Sequence, residues 1–261
     1  MDILYGLHPV EEALRAGSRS FDHVCVARER SDRRLQQVID LCRDQGVRVR
    51  MEPRDHLTRL AKTTAHQGVV AVARALPTLT IEDLLDSPKD RPRLVLALDG
   101  VEDPQNLGAL LRTADGAGVD GVVLTERRAA PLSAVALKTS AGAAEHLRIA
   151  RVVNLTRALE QLKERNLWCV GLDERGSMDY DAFDYTGNCV VVLGREGEGL
   201  HEVTRRACDH LLRIPMSGMV SSLNVAAAGA VVLYEAARQR RVRRQPPPAP
   251  PSVKIKKGLG S

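Results

Sequence analysis

Three short polar stretches of this 261-residue chain hold residue types that can bind and activate a ligand, and each follows an apolar run. Residues 106–112 read Asn106-Leu107-Gly108-Ala109-Leu110-Leu111-Arg112. Residues 193–199 read Leu193-Gly194-Arg195-Glu196-Gly197-Glu198-Gly199. Residues 214–227 open on Ile214-Pro215-Met216 and pass through Ser221-Ser222-Leu223-Asn224 into an Ala-rich segment. A strand-to-helix turn presents backbone N–H groups and short polar side chains, and spaced glycines let the backbone approach a ligand closely. Each stretch also has a plain structural reading. Arg112 could be a surface arginine, Glu198 could favour a helix N-terminus, and Ser221 or Ser222 could cap a helix whose first turn holds Asn224. The recurrence of three such turns, with an arginine set among Leu and Ala residues that give it no obvious partner, favours a ligand site.

Residues 116–121, Gly116-Ala117-Gly118-Val119-Asp120-Gly121, match the dinucleotide fingerprint G-x-G-x-x-G by letter. They fail by context, since a helix precedes and a strand follows, the reverse of what pyrophosphate binding needs. They read as a helix-to-strand turn, and a nicotinamide enzyme is set aside.

The elements that must hold the three turns follow from the apolar pattern. Unbroken apolar runs at 94–98, 121–124, 167–172, 189–193 and 211–214 alternate with helical spacing near 106–117, 133–145, 155–165, 200–207 and 222–240. Strict alternation of this kind implies a largely parallel sheet covered by helices, with the three turns at the carboxyl ends of its strands. Ahead of it, helical spacing at 7–16, 32–46 and 57–61 and strands at 24–27, 47–51 and 69–73 form a smaller α/β module. The expected division is therefore a module at 1–76, a linker at 77–92, a main domain at 93–240 and a tail at 241–261. The tail, with Pro246-Pro247-Pro248 and Lys254, Lys256 and Lys257, reads as disordered.

The net charge of +5 is unevenly spread: 13 basic against 10 acidic residues over 1–76, 17 against 23 over 77–237, and 8 against none over 238–261. Basic ends around an acidic body suit a polyanionic partner, although a lone basic tail is more often just solvated. No apolar run approaches the ~20 residues of a membrane span, and no basic-then-apolar leader opens the chain, so a cytosolic protein is expected. Five scattered cysteines without a C-x-x-C pair suit reduced, buried thiols, and no cluster has the makings of a metal site.

N-x-G-x-x-x-R at 106–112, L-G-x-E-x-x-G at 193–199 and I-P-M…S-L-N-V-x-x-A at 214–227 resemble the three motifs of the SpoU RNA ribose 2′-O-methyltransferases of the SPOUT superfamily. The residues 5–10, 66–71 and 140–145 are similar to those of the bacterial subgroup that methylates guanosine in 23S ribosomal RNA. The resemblance implies an RNA-binding N-terminal domain and a parallel sheet closed by a trefoil knot. It also implies S-adenosylmethionine held in bent form by backbone groups of Gly194, Ile214 and Leu223, with S-adenosylhomocysteine as product and no metal. The family gives Arg112 the central role, sometimes as base. Because a guanidinium keeps its proton to pKa ≳12, Arg112 is better placed to position a phosphate and stabilise the developing alkoxide. Asn106, Glu196, Ser222 and Asn224 would orient Arg112 and the RNA. A homodimer with ribosomal RNA as partner is also implied. Two alternatives stay open: the same chemistry on transfer RNA or another ribosomal position, and a non-catalytic RNA-binding assembly factor.

Overall fold

The structure, a computed structural model, describes residues 1–86 and 90–244; the remaining linker residues and the Pro-rich tail from Gln245 onward lie outside these. The first sheet is built on β4 (Val69–Ala73), flanked antiparallel by β1 (Asp2–Tyr5) and β2 (Phe21–Ala27), with β3 (Val49–Glu52) parallel to β2. The strand β1 was not anticipated. Around this sheet pack α1 (Leu7–Ala16), α2 (Arg33–Asp44) and α3 (Arg54–Ala61). Helix α1 stops at Gly17 in a left-handed cap, and α2 starts where the Asp32 carboxylate accepts from the Arg34 and Leu35 N–H groups.

The short α4 (Ile81–Leu85) leads to the second sheet, whose seven strands are all parallel. In chain order these are β5 (Leu94–Leu98), β6 (Gly121–Thr125), β7 (Ile149–Val152), β8 (Trp168–Leu172), β9 (Met178–Asp179), β10 (Cys189–Leu193) and β11 (His210–Arg213). In space they run β7-β6-β5-β10-β8-β11-β9. All five residues of β5 and of β10 are buried, which is why both read as unbroken apolar runs. From the β5–β10 pair the strand order runs outward in both directions. The carboxyl ends of these two strands, in register at Leu98 and Leu193, therefore bound the crevice where open α/β sheets bind ligands.

The covering helices are α5 (Pro104–Gly116), α6 (Ala134–Thr139), α7 (Leu155–Glu164), α8 (Glu202–Ala207) and α9 (Val225–Arg244). Three departures from the sequence expectation have physical causes. The helix expected over 133–145 breaks after Thr139, because Ala141 and Gly142 take left-handed backbone angles before a 3-10 turn at Ala143–Glu145. The last helix begins at Val225 rather than Ser222, because Asn224 is its cap: the side-chain oxygen accepts from the N–H groups of Ala226 (2.9 Å) and Ala227 (3.3 Å). It also runs on to Arg244, four residues past Arg240, since nothing between disfavours a helix and the first proline is Pro246. Gly116 ends α5 and Gly118, at φ 73°, turns the chain toward β6, so the fingerprint-like glycines form a helix-to-strand turn. Cys25, Cys42, Cys169 and Cys189 are buried free thiols, and Cys208 is half-buried. Burial raises the Cys42 and Cys189 thiols to about 11 and the Cys169 and Cys208 thiols to about 12.

Candidate active site

Three of the polar residues that the sequence singled out meet in one hydrogen-bonded triangle. Asn106 sits in the first turn of α5, whose start is fixed by Pro104 and by the Asp103 carboxylate capping Gln105 N–H. Glu196 lies just past β10, and Asn224 caps α9. Asn106 donates to Glu196 Oε2 at 2.9 Å, and Asn224 donates to Glu196 Oε1 at 2.8 Å and to Asn106 Oδ1 at 3.0 Å. Each carboxylate oxygen thus takes an amide N–H, while the Asn224 oxygen holds the helix. Residues 90 and 118 positions apart in sequence are locked in one geometry. A charge-assisted set of this kind is stronger than neutral amide pairs.

On one side of the triangle opens a cleft lined by residues 172–175, 193–199, 214, 216, 221–223, 225 and 228. Gly194, Ile214 and Leu223 line it, together with Glu196 and Ser222. Close packing requires glycine at 194, where a Cβ would lie 2.2 Å from the Gly199 carbonyl, and left-handed φ values of 75° and 69° favour it at 197 and 199. Backbone bonds in both directions between Arg195 and Gly199 tie the loop into a tight arch. A second groove, bounded by Gly100–Asp103, Asn106, Arg195 and Glu196, adjoins the first through the Glu196 side chain.

Ser222 borders the cleft but caps no helix. Arg112 stands apart: it is exposed on α5, lines neither cavity, and among the described residues makes no hydrogen bond or ion pair. Within one chain the expected grouping of Arg112 with Asn106, Glu196, Ser222 and Asn224 is therefore not formed. Six residues carry the helix through about 600°, or about 240° net, so Asn106 faces the core while Arg112 faces out.

The sequence reading missed several residues of the site. Asp173 and Arg175 border the cleft, where the Arg175 guanidinium donates to both Asp173 oxygens at 2.9 and 3.0 Å and holds that carboxyl below its usual range. Their signal was present, since they follow β8 at the same sheet edge as the other turns. Asp99, buried just past β5, accepts from His201 N–H at 2.8 Å and pairs with His201 Nδ1 at 2.9 Å, tying the end of β5 to the start of α8.

Against this geometry stand the comparisons with known proteins. A family model described as the SpoU rRNA Methylase family matches residues 93–234, and one described as RNA 2′-O ribose methyltransferase substrate binding matches residues 3–79. The 23S rRNA (guanosine-2′-O-)-methyltransferase RlmB of Ralstonia nicotianae is 42% identical over 237 residues, 90% of this chain and 95% of the relative. That of Escherichia coli K12 is 40% identical over 241 residues, 91% of this chain and 98% of the relative. Among solved structures, the SpoU methyltransferase AviRb from Streptomyces viridochromogenes in complex with AdoMet superposes with a TM-score of 0.79 at 29% identity, covering 92% of this chain and 90% of that one. The parallel sheet, the three motif-bearing turns that border one cleft or meet in one triangle, and these matches over nearly the whole length agree: the chain belongs to the SpoU rRNA methylase family.

Proposed function

We propose that this protein transfers a methyl group from S-adenosylmethionine to the ribose 2′-hydroxyl of a guanosine in 23S ribosomal RNA. The observation that carries the reading is the Asn106–Glu196–Asn224 triangle at the junction of two cavities, one lined by glycine backbone, apolar side chains and charged residues such as Asp173 and Arg175, the other mostly by polar residues. The relatives named RlmB, aligned over about nine-tenths of the chain, supply the substrate class.

S-adenosylmethionine fits the first cleft. Its adenosyl part suits the walls formed by Leu193, Ile214, Leu223 and Val225, the arch of Gly194 to Gly199 offers backbone groups at close range, and Glu196 and Glu198 suit a cationic sulfonium. Bound there, the cofactor supplies an electrophilic methyl on sulfur. The residues of the chain then have two tasks, aligning the 2′-hydroxyl in line with that methyl and managing its proton. Asn106 and Asn224 hold the Glu196 carboxylate at the mouth of the cleft, where it orients the incoming ribose. Ser222 on the facing segment contacts the RNA. Arg112, with its charge unmatched, positions a phosphate and stabilises the developing alkoxide.

Since Arg112 points away from the triangle of its own chain, it serves the cleft of a second copy. The active form is a homodimer formed on the exposed face of α5 and α9, where Ala109, Ala230 and the exposed Tyr234 present an apolar surface. The N-terminal module, residues 1–76, binds the RNA, and the main domain is knotted and holds the cofactor. No helix of the described residues is long and apolar enough to cross a membrane, and a cytoplasmic setting suits an enzyme of ribosomal RNA.

The test is methylation of 23S rRNA by purified protein with labelled S-adenosylmethionine, followed by mapping of the modified ribose. Incorporation at one guanosine 2′-oxygen is expected. Label appearing only in transfer RNA would overturn the substrate, and S-adenosylmethionine failing to bind with or without RNA would favour an assembly factor. Sedimentation of wild type against Tyr234→Glu tests the dimer, with a monomer expected for the variant.

A further inference from the structure

The N-terminal module meets the main domain through a buried ion pair that the reaction scheme does not use. Arg19, in the turn between α1 and β2, has a side chain with no solvent exposure, and that of Glu145, at the end of the 3-10 turn, is 1% exposed. The guanidinium grips the carboxylate with both prongs, Nε to Oε2 at 3.0 Å and an Nη to Oε1 at 2.7 Å, and Ser18 donates to Oε2 at 2.6 Å. Its other Nη donates to Asp2 at 3.1 Å and to the Arg74 carbonyl at 3.3 Å. One side chain therefore ties together the first strand of the module, the point where the chain leaves it, and the main domain. Around the pair the fit is close: a Cβ on Gly142 would lie 2.3 Å from Glu12 Cβ, and Lys138 donates to the Ala65 carbonyl at 2.8 Å with its ammonium 4.9 Å from the centre of the Tyr5 ring.

The element that carries Glu145 leads to the active site. The segment of α6 and the 3-10 turn packs on α5, where Gly108 leaves room for no side chain: a Cβ there would meet Thr139 Cβ at 2.5 Å and the Ala136 carbonyl at 2.6 Å. Helix α5 in turn bears Asn106 and Arg112. A continuous path of packed elements runs from Arg19 through Glu145 and α6 to α5.

We propose that Arg19 and Glu145 are positioning residues for RNA methylation. Their buried pair fixes the angle between the N-terminal module and α5, so that RNA held by the module brings one ribose, and not its neighbours, to Asn106 and Glu196. The inference rests on the RNA methylation reading above. Water and salt do not reach the pair, so the angle is held at any ionic strength at which the fold survives. The directional bidentate contact supplies what an apolar contact would not, a single orientation.

The test replaces the pair by apolar residues of similar size, Arg19→Met with Glu145→Leu, in the full chain. Such replacements commonly preserve stability. The distance distribution between spin labels on exposed sites of the two parts, at Arg50→Cys and Arg127→Cys, is expected to broaden. S-adenosylmethionine affinity and the KM for rRNA stay within about threefold of wild type, kcat falls by about tenfold or more, and methylation spreads to neighbouring riboses. Glu145→Gln, milder, gives smaller changes in the same direction and serves if the double variant does not fold. An unchanged distance distribution overturns the proposal whatever the activity, and so does a broadened one with unchanged kcat and unchanged site choice. A wild-type protein without methylation activity would sink the functional reading, while the distances would still decide whether the pair holds the joint.

Discussion

At the scale of single residues, the triangle assigns separable jobs to its members. Asn224 is both the cap of α9 and a donor to Glu196. Asn224→Asp keeps an oxygen for the cap but sets a second carboxylate against Glu196, whereas Asn224→Ala loses the cap at a cost of ~1 kcal/mol. Turnover is expected to collapse in both, and the alanine variant is expected to lose helix stability as well; activity and thermal melting of the two variants check this. Arg112→Ala, by contrast, removes an exposed side chain with no partner among the described residues, so melting should stay within about 0.5 kcal/mol of wild type. Turnover should fall about 100-fold, as for loss of one charge-stabilising donor, and near-normal turnover would end its assigned role. The motif residues were legible because short polar side chains and glycines interrupt apolar runs. Helix geometry put Arg112 off the stack of Asn106 but left room for both to flank one groove, and only the structure shows Arg112 facing out. Asp173 and Arg175 were passed over because charged residues after a strand are ordinarily just solvated, although their place at the end of β8 already set them at the sheet edge of the other turns.

At the scale of elements, close approach and buried polar turns set the tolerances. Gly108→Ala drives a methyl group into Thr139 and the backbone of α6, so destabilisation of about 1–3 kcal/mol is expected from chemical denaturation, with activity falling as α5 shifts. In the N-terminal module, fully buried His66 accepts from Gly68 N–H at Nδ1 (3.1 Å), which leaves the Nε2 proton to face Thr58 Oγ1 at 3.1 Å. Burial lowers the His66 pKa from 6.5, with the charges of Arg54 and Lys138 adding to the effect. The folded state therefore binds this proton more weakly than the unfolded chain. The stability His66 contributes is complete above pH 6.5 and is lost as the pH falls through the depressed value. Melting temperature followed from pH 8 to pH 5 should drop more steeply for wild type than for His66→Gln. Among the elements, β1 was hidden because four residues are too few to show a period and its partner β4 lies some seventy residues away. Five of the seven strands of the main sheet were legible because strands buried on both faces declare themselves by composition, whereas β7, half-buried at Arg151 and Val152, and the two-residue β9 were missed.

At the scale of the whole molecule, charge and the domain joint decide how RNA is engaged. Residues 1–76 and 238–261 are net basic and the body between is net acidic, so RNA should be gripped from the ends. Binding of an rRNA fragment is expected to weaken linearly in log K against log salt, by a slope of ~0.7 for each single-strand phosphate contact. Removing residues 245–261 should make that slope shallower while leaving the modified position unchanged. A shifted position would mean that the tail takes part in site choice. The parallel architecture of the large sheet was readable from alternating strands and helices. The Arg19–Glu145 joint was not, because two charged residues 126 apart carry no mark of their pairing until both are buried.

The β5–β10 pair at the centre of the large sheet has a consequence for how the protein comes into being. Leu94–Leu98 waits for Cys189–Leu193, and the Asn106–Glu196–Asn224 triangle waits for residue 224, so the nascent chain can close the large sheet only when most of it has left the ribosome. The first sheet needs nothing beyond Ala73 and can form during synthesis. A small module that folds first would present Arg19 as a socket for Glu145 when the later part of the chain arrives.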